Sequence, residues 1–336
     1  MFSLVVDVAG ALAVRAERVC SDKERAELQD ILQSQQIEVL FQPIIDLRTG
    51  ETLGFEALSR GPQNSQLHRA DKLFQAAVHN QLAWELEMLC LTKALERIEP
   101  IIEDKLIFIN ISPEVFCDYR FQIVNNINIM PHLQDQRKNI VFEISEKTKI
   151  EDYASFHRAL NHHRNQGRRI ALDDTGAGYS GLQVLAQTRP NFIKVDMELI
   201  RDIDHDHVKQ TMLKVLHDFA GRTNAQVIAE GIETMSELST IIQLGIPYGQ
   251  GFLLHKPTAG FSEISTELRD YISSRHQQEK RKQLQISLNT PIGELARRDI
   301  PFSPATRGSK LLEHFNNHPQ LMGVPIAAEG KPAGLI

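Results

Sequence analysis

Two adjacent carboxylates, Asp173 and Asp174, follow the apolar residues 170–172 and precede a loop that contains Gly176 and Gly178. Two ionised acids side by side repel each other, so we expect a positive charge nearby. Neighbours in a strand point to opposite faces, and both acids can serve one site only if the second lies where the strand breaks into the loop. Glycine allows the backbone conformations that such a break requires. The stretch therefore predicts a pair of ligands at the end of a strand.

Polar residues recur in the same way after other apolar, β-branched runs of the chain. One acid at a strand end is commonly a cap for the following helix. Repetition after most of the runs instead indicates a shared site, because the strand ends of a β/α barrel meet at one face. The residues concerned are Glu56, Asn110, Glu143, Asp173, Asp174, Lys194, Glu230 and Gln250.

This set carries far more negative than positive charge. Two carboxylates about 4 Å apart repel each other by roughly 4 kcal/mol at an effective dielectric constant of 20. Either several of the acids are protonated or cations lie among them, and Lys194 alone is too little. Oxygen donors without Cys or His suit Mg²⁺ or Mn²⁺ better than zinc. We therefore expect the paired acids to bridge two divalent ions.

The spacing of apolar residues predicts the elements that hold this set. From residue 37 on, short strand-like runs alternate with helical patterns, for example over residues 71–97, 153–166, 208–222 and 235–244. Seven or eight such units favour a closed β/α barrel over an open sheet. Residues 48–51 are too few for a crossover, so we expect the first two strands to be antiparallel. The predicted fold is a TIM-like β/α barrel with an antiparallel first strand, an N-terminal helix and a small C-terminal α+β segment.

The chain is expected to have three parts. Residues 1–36 have helical spacing and form a lead-in, and residues 37–275 form the barrel domain. Residues 276–336 form a connector and tail, with a charged helix near residues 275–285 and two strands around the turn at residues 328–334. A tail of this size cannot bury a core of its own, so it packs on something else or begins a longer module.

Composition excludes several classes of protein. The chain has 336 residues, 42% of them hydrophobic, with a net charge of −6 and a pI near 6.1, which argues against a broad basic face for nucleic acid. Cys20, Cys90 and Cys117 form neither a zinc motif nor a disulfide framework. The apolar run of residues 2–14 is shorter than the roughly 20 residues that span a bilayer. A cytoplasmic location is expected.

Two charged stretches are interpreted as helix ends. Residues 202–209, "DIDHDHVK", predict a helix start, where acids favour the positive end of the helix dipole. Residues 161–169, "NHHRNQGRR", predict the exposed end of a helix with a glycine stop and basic residues. Neither stretch is interpreted as a metal site.

Seven motifs, in order along residues 37–258, closely resemble those of the EAL-domain cyclic di-GMP phosphodiesterases. They are "FEALSR" (55–60), "NIS" (110–112), "FEISEK" (142–147), "DDTGAGYSGL" (173–182), "IKVD" (193–196), "AEGIE" (229–233) and "YGQGF" (248–252). The resemblance implies hydrolysis of one phosphodiester of cyclic di-GMP to linear 5′-pGpG, with two divalent ions, Mg²⁺ or Mn²⁺. It also implies a homodimer through the barrel.

The resemblance assigns roles residue by residue. It places one metal on Glu56, Asn110, Glu143 and Asp173, and the other on Asp173, Asp174 and Glu230. Lys194 is expected to orient and help activate the attacking water, so Lys194, Glu230, Glu56 and Asp173 are the expected catalytic residues. The expected substrate-binding residues are Gln42, Leu58, Arg60 and Gln250, and Glu146 and Glu233 are expected to brace the active-site loop.

The chain departs from the family pattern in the loop after the paired acids. The family has Phe and Ser where this chain has Thr175 and Gly181. Loss of an aromatic anchor and gain of a glycine are expected to loosen the loop that couples metal binding to the dimer. The departure bears on the level of activity rather than on metal ligation.

Residues from 286 on resemble the opening of a CBS module. In the family such modules occur between an EAL barrel and a GGDEF cyclase, so we expect a longer native protein with a CBS or GGDEF region. A non-catalytic cyclic di-GMP receptor is the alternative function, but receptors are expected to lose metal ligands and none is missing here. An unrelated barrel metalloenzyme that enolises a carboxylate is a third hypothesis, against which the absence of a second catalytic Lys or His at the strand ends counts.

Overall fold

The structure is a computed structural model that describes residues 22–98, 101, 103–121, 137–145, 152–176, 181–289, 301–317, 323–328 and 331–335. Cys20, the apolar run of residues 2–14 and the expected loop-bracing Glu146 lie outside these residues. Two compact units are present, and the boundary falls between Glu279 and Lys280.

The larger unit contains a closed barrel of eight strands in sequential order, which confirms the predicted barrel. The first strand is antiparallel to both of its neighbours, and the other pairs are parallel. The strands are β1 (Glu38–Asp46), β2 (Thr52–Arg60), β3 (Leu106–Asn110), β4 (Ile140–Ser145), β5 (Arg169–Thr175), β6 (Phe192–Val195), β7 (Gln226–Ala229) and β8 (Tyr248–Gly249).

Helices connect the strands as a parallel barrel requires. The described helices that begin within the larger unit are α1 (22–34), α2 (Ala70–His79), α3 (Ala83–Ile98), α4 (Pro113–Cys117), α5 (Tyr153–Asn165), α6 (Gly181–Thr188), α7 (Met197–Ile200), α8 (His207–Arg222), α9 (Met235–Gln243) and α10 (Thr266–Asn289). A short 3₁₀ helix, Arg137–Asn139, precedes β4. Within the described part of the chain, no helix is both long and apolar enough to cross a membrane.

The helix predicted over residues 71–97 is two helices, α2 and α3. The side chain of Asn80 donates to the carbonyl of Ala76 at 2.9 Å and so closes the end of α2. Gln81 follows with a φ of 58°, in the left-handed region that ends a helix. The chain then turns into α3. The apolar spacing on either side continues through this break, which is why the pattern predicts one helix.

The predicted start of α8 is confirmed, and Asp206 is its N-cap. Its carboxylate accepts hydrogen bonds from the backbone N–H groups of Val208 at 2.8 Å and Lys209 at 3.2 Å. Such a cap satisfies donors that a helix leaves unpaired at its start.

The end of α5 is not the exposed surface that the sequence predicts. Gly167, with a φ of 78°, does stop the helix, but His163 and Arg168 are buried. Arg168 Nη1 donates to His163 Nδ1 at 3.0 Å, and the imidazole lies 4.6 Å from the ring of Phe116 and 5.4 Å from that of Phe142, measured between centroids. Burial, aided by the charge of Arg168, lowers the pKa of His163 to about 3, so this histidine is neutral.

Alternation along the strands builds the barrel interior in layers. On seven strands the residue two positions from a predicted site residue belongs to one apolar cluster, as Phe108 does below Asn110 and Phe192 does below Lys194. The cluster consists of Ile44, Leu106, Phe108, Val141, Ala171, Phe192, Ile228 and Tyr248. This apolar cluster packs the strands against one another inside the barrel, and the next inward-facing layer of side chains is polar.

The smaller unit contains α11 (Gly308–Asn317) and an antiparallel pair of strands, β9 (Pro325–Ala328) and β10 (Lys331–Leu335). Phe302 forms an isolated bridge with Ile326 and packs its ring on His314, with 5.0 Å between centroids. The predicted small α+β segment is therefore present.

Candidate active site

Four acidic side chains from four strands or strand ends converge on the ammonium of Lys194. Its Nζ lies 2.8 Å from Glu143 Oε1, 2.8 Å from Glu230 Oε1, 3.3 Å from Asp173 Oδ1 and 3.4 Å from Glu56 Oε2. Lys194 is 1% exposed and lies in the layer next to the apolar cluster that contains Phe192. We call Lys194 with Glu56, Glu143, Asp173 and Glu230 the lysine–carboxylate ring.

Burial and charge act in opposite directions on these groups. Burial would lower the pKa of Lys194, but the surrounding carboxylates raise it well above its ordinary value, so the ammonium is charged. Burial raises the pKa of Glu143, Glu230 and Asp173, and repulsion from neighbouring carboxylates adds to this. One ammonium cannot compensate four carboxylates, so protonation of some of the acids, or further positive charge among them, is favoured.

Glu56 differs from the other acids because hydrogen-bond donors surround it. Burial opposes its ionisation, yet Lys194 and amide donors lower its pKa overall. Asn110 Nδ2 donates to Glu56 Oε1 at 2.9 Å, and Gln250 Nε2 donates to Glu56 Oε2 at 2.7 Å. Gln250 Nε2 also lies 3.0 Å from Gln42 Oε1. Glu56 lies in the middle of β2 rather than at its end, because β2 continues four residues further to Arg60.

The paired acids lie where β5 departs from regular pairing with β6. The register shifts between Leu172 and Thr175, and Asp174 between them has a φ of 59°, which aspartate tolerates better than most residues do. Asp173 joins the ring, whereas Asp174 Oδ2 accepts a hydrogen bond from Ser145 Oγ at 3.0 Å. Gly176 follows with a φ of 104°. The break separates the directions of two adjacent carboxylates.

The donors of the ring fit hard divalent ions in their chemistry. Glu143 Oε2 and Gln250 Oε1 are buried oxygens that receive no hydrogen bond within the described residues. All donors are carboxylate or amide oxygens, which suit Mg²⁺, Mn²⁺ or Ca²⁺. Within the described ranges, no group of three or more Asp, Glu, His or Cys side chains is arranged so that it could hold a metal ion. Here the carboxylates are gathered on Lys194 itself.

Two cavities open at the ring. One, of about 470 Å³, is lined by Lys194, Glu230 and the exposed Glu233, and also by Gln42 and Gln250. The other has a volume of about 640 Å³. Its lining includes Leu58, Arg60, Asn110, Glu143, Asp174 and the buried Glu87.

Glu237 lies behind the smaller cavity, and the strand-end pattern misses it. Its buried carboxylate accepts hydrogen bonds from the backbone of the loop that carries Glu230 and Glu233. The signal was present in the sequence as Thr-x-x-Glu, residues 234–237, ahead of an apolar helical pattern, which is a capping box.

The barrel and its ring define a β/α-barrel protein with an acidic site at the mouth. The EAL domain family matches residues 25–257. The chain belongs to the EAL domain family, which confirms the resemblance drawn from its motifs.

Relatives and solved structures agree with this assignment. The chain is 27% identical over 234 residues to "Probable cyclic di-GMP phosphodiesterase PdeB" of Escherichia coli, an alignment that covers 68% of this chain and 44% of the relative. The structure of Klebsiella pneumoniae BlrP1 in a calcium/cyclic di-GMP complex has a TM-score of 0.61 at 26% identity, with 69% of this chain and 58% of that chain covered. A standalone EAL protein from Vibrio cholerae bound to cyclic di-GMP has a TM-score of 0.59 at 28% identity, over 69% of this chain and 97% of that chain.

The chain spans less than half of the length of the curated E. coli relative. The family match ends at residue 257, and the comparisons do not support the CBS resemblance of the C-terminal segment. That resemblance stays a prediction.

Proposed function

We propose that this chain hydrolyses cyclic di-GMP to linear 5′-pGpG with the help of divalent metal ions. The observation that carries the proposal is the convergence of Glu56, Glu143, Asp173 and Glu230 on Lys194 at the mouth of the barrel. Family membership and relatives described as cyclic di-GMP phosphodiesterases support the reaction. BlrP1 complexes that contain cyclic di-GMP with calcium or manganese support the substrate and the class of ion.

The proposed ligands of two ions are the acids of the ring together with Asn110 and Asp174. Divalent ions held there supply positive charge that offsets charge growing on the phosphate and leaving oxygens. We favour Mg²⁺ or Mn²⁺ because every donor is an oxygen.

The chain's own residues position the reacting water. Lys194 Nζ, 2.8 Å from both Glu143 and Glu230, is the buried donor that holds a water oxygen above the ring. The carboxylate of Glu230 lines the 470 Å³ cavity and accepts the proton as the water attacks phosphorus. One P–O ester bond of the cyclic dinucleotide breaks as a P–O bond from water forms, and the leaving ribose oxygen takes up a proton, which balances the proton that Glu230 accepted and gives the free hydroxyl of linear 5′-pGpG. Positioning of this kind is the main demand of phosphoryl transfer.

Substrate contacts come from both cavities. Arg60 lines the larger cavity, and its guanidinium can donate in pairs to a phosphate. Leu58 lies in the same wall. Gln42 and Gln250 line the smaller cavity, where Gln42 Nε2 also donates to the carbonyl of His255 at 3.0 Å. Glu146 and Glu233 are proposed to brace the loops at the mouth.

Further properties are proposed from the sequence and its resemblance to the family. These are a homodimer through the barrel, a cytoplasmic location, a division at residues 36 and 275, and a CBS or GGDEF region linked to residues 276–336.

The experiment is a turnover assay with purified protein, Mg²⁺ or Mn²⁺ and cyclic di-GMP, followed by chromatography of the products. We expect linear pGpG from the wild-type chain and none from Glu56→Ala, with the fold retained by circular dichroism. Glu96→Ala, which removes an exposed acid far from the ring in sequence, is the matched control and should keep wild-type turnover. Tight binding of cyclic di-GMP without product would support the receptor instead.

A further inference from the structure

Glu237 lies in the first turn of α9, away from the strand ends, and its side chain is 4% exposed. Its Oε2 accepts hydrogen bonds from the backbone N–H groups of Glu233 and Thr234, both at 2.9 Å. Its Oε1 accepts a hydrogen bond from the backbone N–H of Asp202 at 3.0 Å. A single carboxylate therefore joins two segments that are about thirty residues apart in the chain.

Both segments line the smaller cavity of the active site. The segment after β6, residues 196–206, contributes Met197, Glu198 and Arg201 to the wall. The segment after β7, residues 230–234, contributes Glu230, Gly231 and Glu233. Glu237 lies behind them, and the three hydrogen bonds that its carboxylate accepts from Asp202, Glu233 and Thr234 all come from their backbone N–H groups.

The two segments also contact each other directly, between Gly231 and Met197. Gly231 has a φ of 70°, and a Cβ placed on it would lie 2.3 Å from Met197 Cβ. Contact this close leaves no space for a side chain, so displacement of one segment moves the other. Asp202, whose backbone N–H donates to Glu237, has a φ of 57°, in the left-handed region that a non-glycine residue enters at a modest cost in free energy.

We infer that Glu237 is a positioning residue that locks the β6 and β7 segments together and thereby sets the place of Glu230 against Lys194. The inference rests on the proposed function for its kinetic consequence. A capping box accounts for the bond to Thr234, and the bond to Glu233 lies in the same segment. Neither accounts for the third bond, to Asp202. That third bond is the link between the segments.

Two variants separate the link from the helix cap. In Glu237→Gln the single amide oxygen is best placed toward the two N–H donors of Glu233 and Thr234, and the NH₂ group then faces the N–H of Asp202. The cap survives and the link is lost. In Thr234→Ala the hydroxyl that accepts from the Glu237 N–H at 3.2 Å is removed, while the carboxylate and its link remain.

The experiment measures kcat, KM, the melting temperature and amide hydrogen exchange for both variants. We expect Glu237→Gln to lower kcat about tenfold with KM within about twofold, because Glu230 is displaced while Arg60, on the other cavity, is not. Exchange at Asp202 should rise by about tenfold or more. Thr234→Ala should keep kcat within about twofold at an equal or greater loss of melting temperature.

Wild-type kcat in Glu237→Gln, or equal losses of kcat in both variants at matched melting temperature, would overturn the positioning role. Exchange at Asp202 decides the link without any turnover. If the wild-type chain makes no pGpG, the proposed function fails. In that case faster amide exchange at Asp202 in Glu237→Gln still supports the link between the two segments, and unchanged exchange overturns it.

Discussion

Replacement of Lys194 by methionine removes the only cation within the lysine–carboxylate ring and keeps a side chain of similar length. In the wild type, Nζ lies between 2.8 and 3.4 Å from oxygens of Glu56, Glu143, Asp173 and Glu230. Without divalent ions the variant must bury these acids with no counter-charge. We expect them to take up protons, at a cost in the free energy of unfolding.

The distances set the size of this cost. A single contact at 2.8 Å corresponds to roughly 6 kcal/mol of attraction at an effective dielectric constant of 20, most of it offset by the desolvation of both groups. Removal of one partner from a buried ion pair typically costs about 3–5 kcal/mol. We therefore expect Lys194→Met to lose about that much stability at pH 8, and less at pH 5, where protonation relieves the repulsion.

The assay is urea unfolding in chelated buffer and again with Mg²⁺ or Mn²⁺. Because a divalent ion can replace the lost ammonium, the metal should stabilise Lys194→Met more than it stabilises the wild type. Lys93→Met is the control, since it removes a lysine from a surface pair with Glu96 at 3.1 Å and should change stability by under about 1 kcal/mol. Equal stability of Lys194→Met and wild type in chelated buffer, or no metal effect on the variant, would refute the role of Lys194 as counter-ion.

Three further predictions concern the loop, the aromatic cluster and the mouth. The double variant Thr175→Phe with Gly181→Ser should raise turnover. The phenyl ring restores an aromatic anchor in place of the buried Thr175 hydroxyl, which has no hydrogen-bond partner in the described residues. Unchanged or lower rates would show that the departures in the loop are neutral or adapted. His163 has its pKa lowered to about 3 in the fold, so stability should fall by about 2 kcal/mol from pH 7 to pH 5 as the unfolded chain takes up the proton. In a urea titration His163→Leu should lack this component, and an identical pH slope would contradict it. Gly231→Ala should lower both melting temperature and turnover, because its Cβ would lie 2.3 Å from Met197 Cβ; wild-type values would show that the segments yield freely.

The barrel and its polar layer could be predicted because both follow from a period of two. Each strand places alternate residues inside the barrel, so Phe192 and Lys194 share a face, as do Phe108 and Asn110. Closure of the strands in sequential order then brings the second members of these pairs together. The antiparallel first strand followed from the short connection at residues 48–51.

Other features depend on contacts between distant residues, which a local pattern does not contain. The burial of His163 and Arg168 needs the rings of Phe116 and Phe142 from other elements, although their own segment is strongly polar. The carboxylates could be counted from the sequence, but their gathering on one ammonium could not. The link from Glu237 to Asp202 joins two loops, so the capping box alone does not reveal it.

The break between α2 and α3 is a feature that the spacing of apolar residues does not reveal. The apolar positions continue through Asn80 and Gln81 with helical spacing, and the backbone turns because Asn80 caps α2 and Gln81 adopts a left-handed conformation. Residues other than glycine enter this region at a modest cost that packing can offset. Sequence spacing therefore predicts the face of the helices correctly and misses the turn between them.

We propose that the acids gathered on Lys194 hold divalent ions that promote cleavage of cyclic di-GMP. The most direct measurement is the rate of pGpG formation by the wild-type chain in chelated buffer and after addition of Mn²⁺. We expect product only with the metal, and recovery of the full rate when Mn²⁺ is restored to a chelated sample. Equal rates with and without the metal, or no product in either buffer, would contradict it.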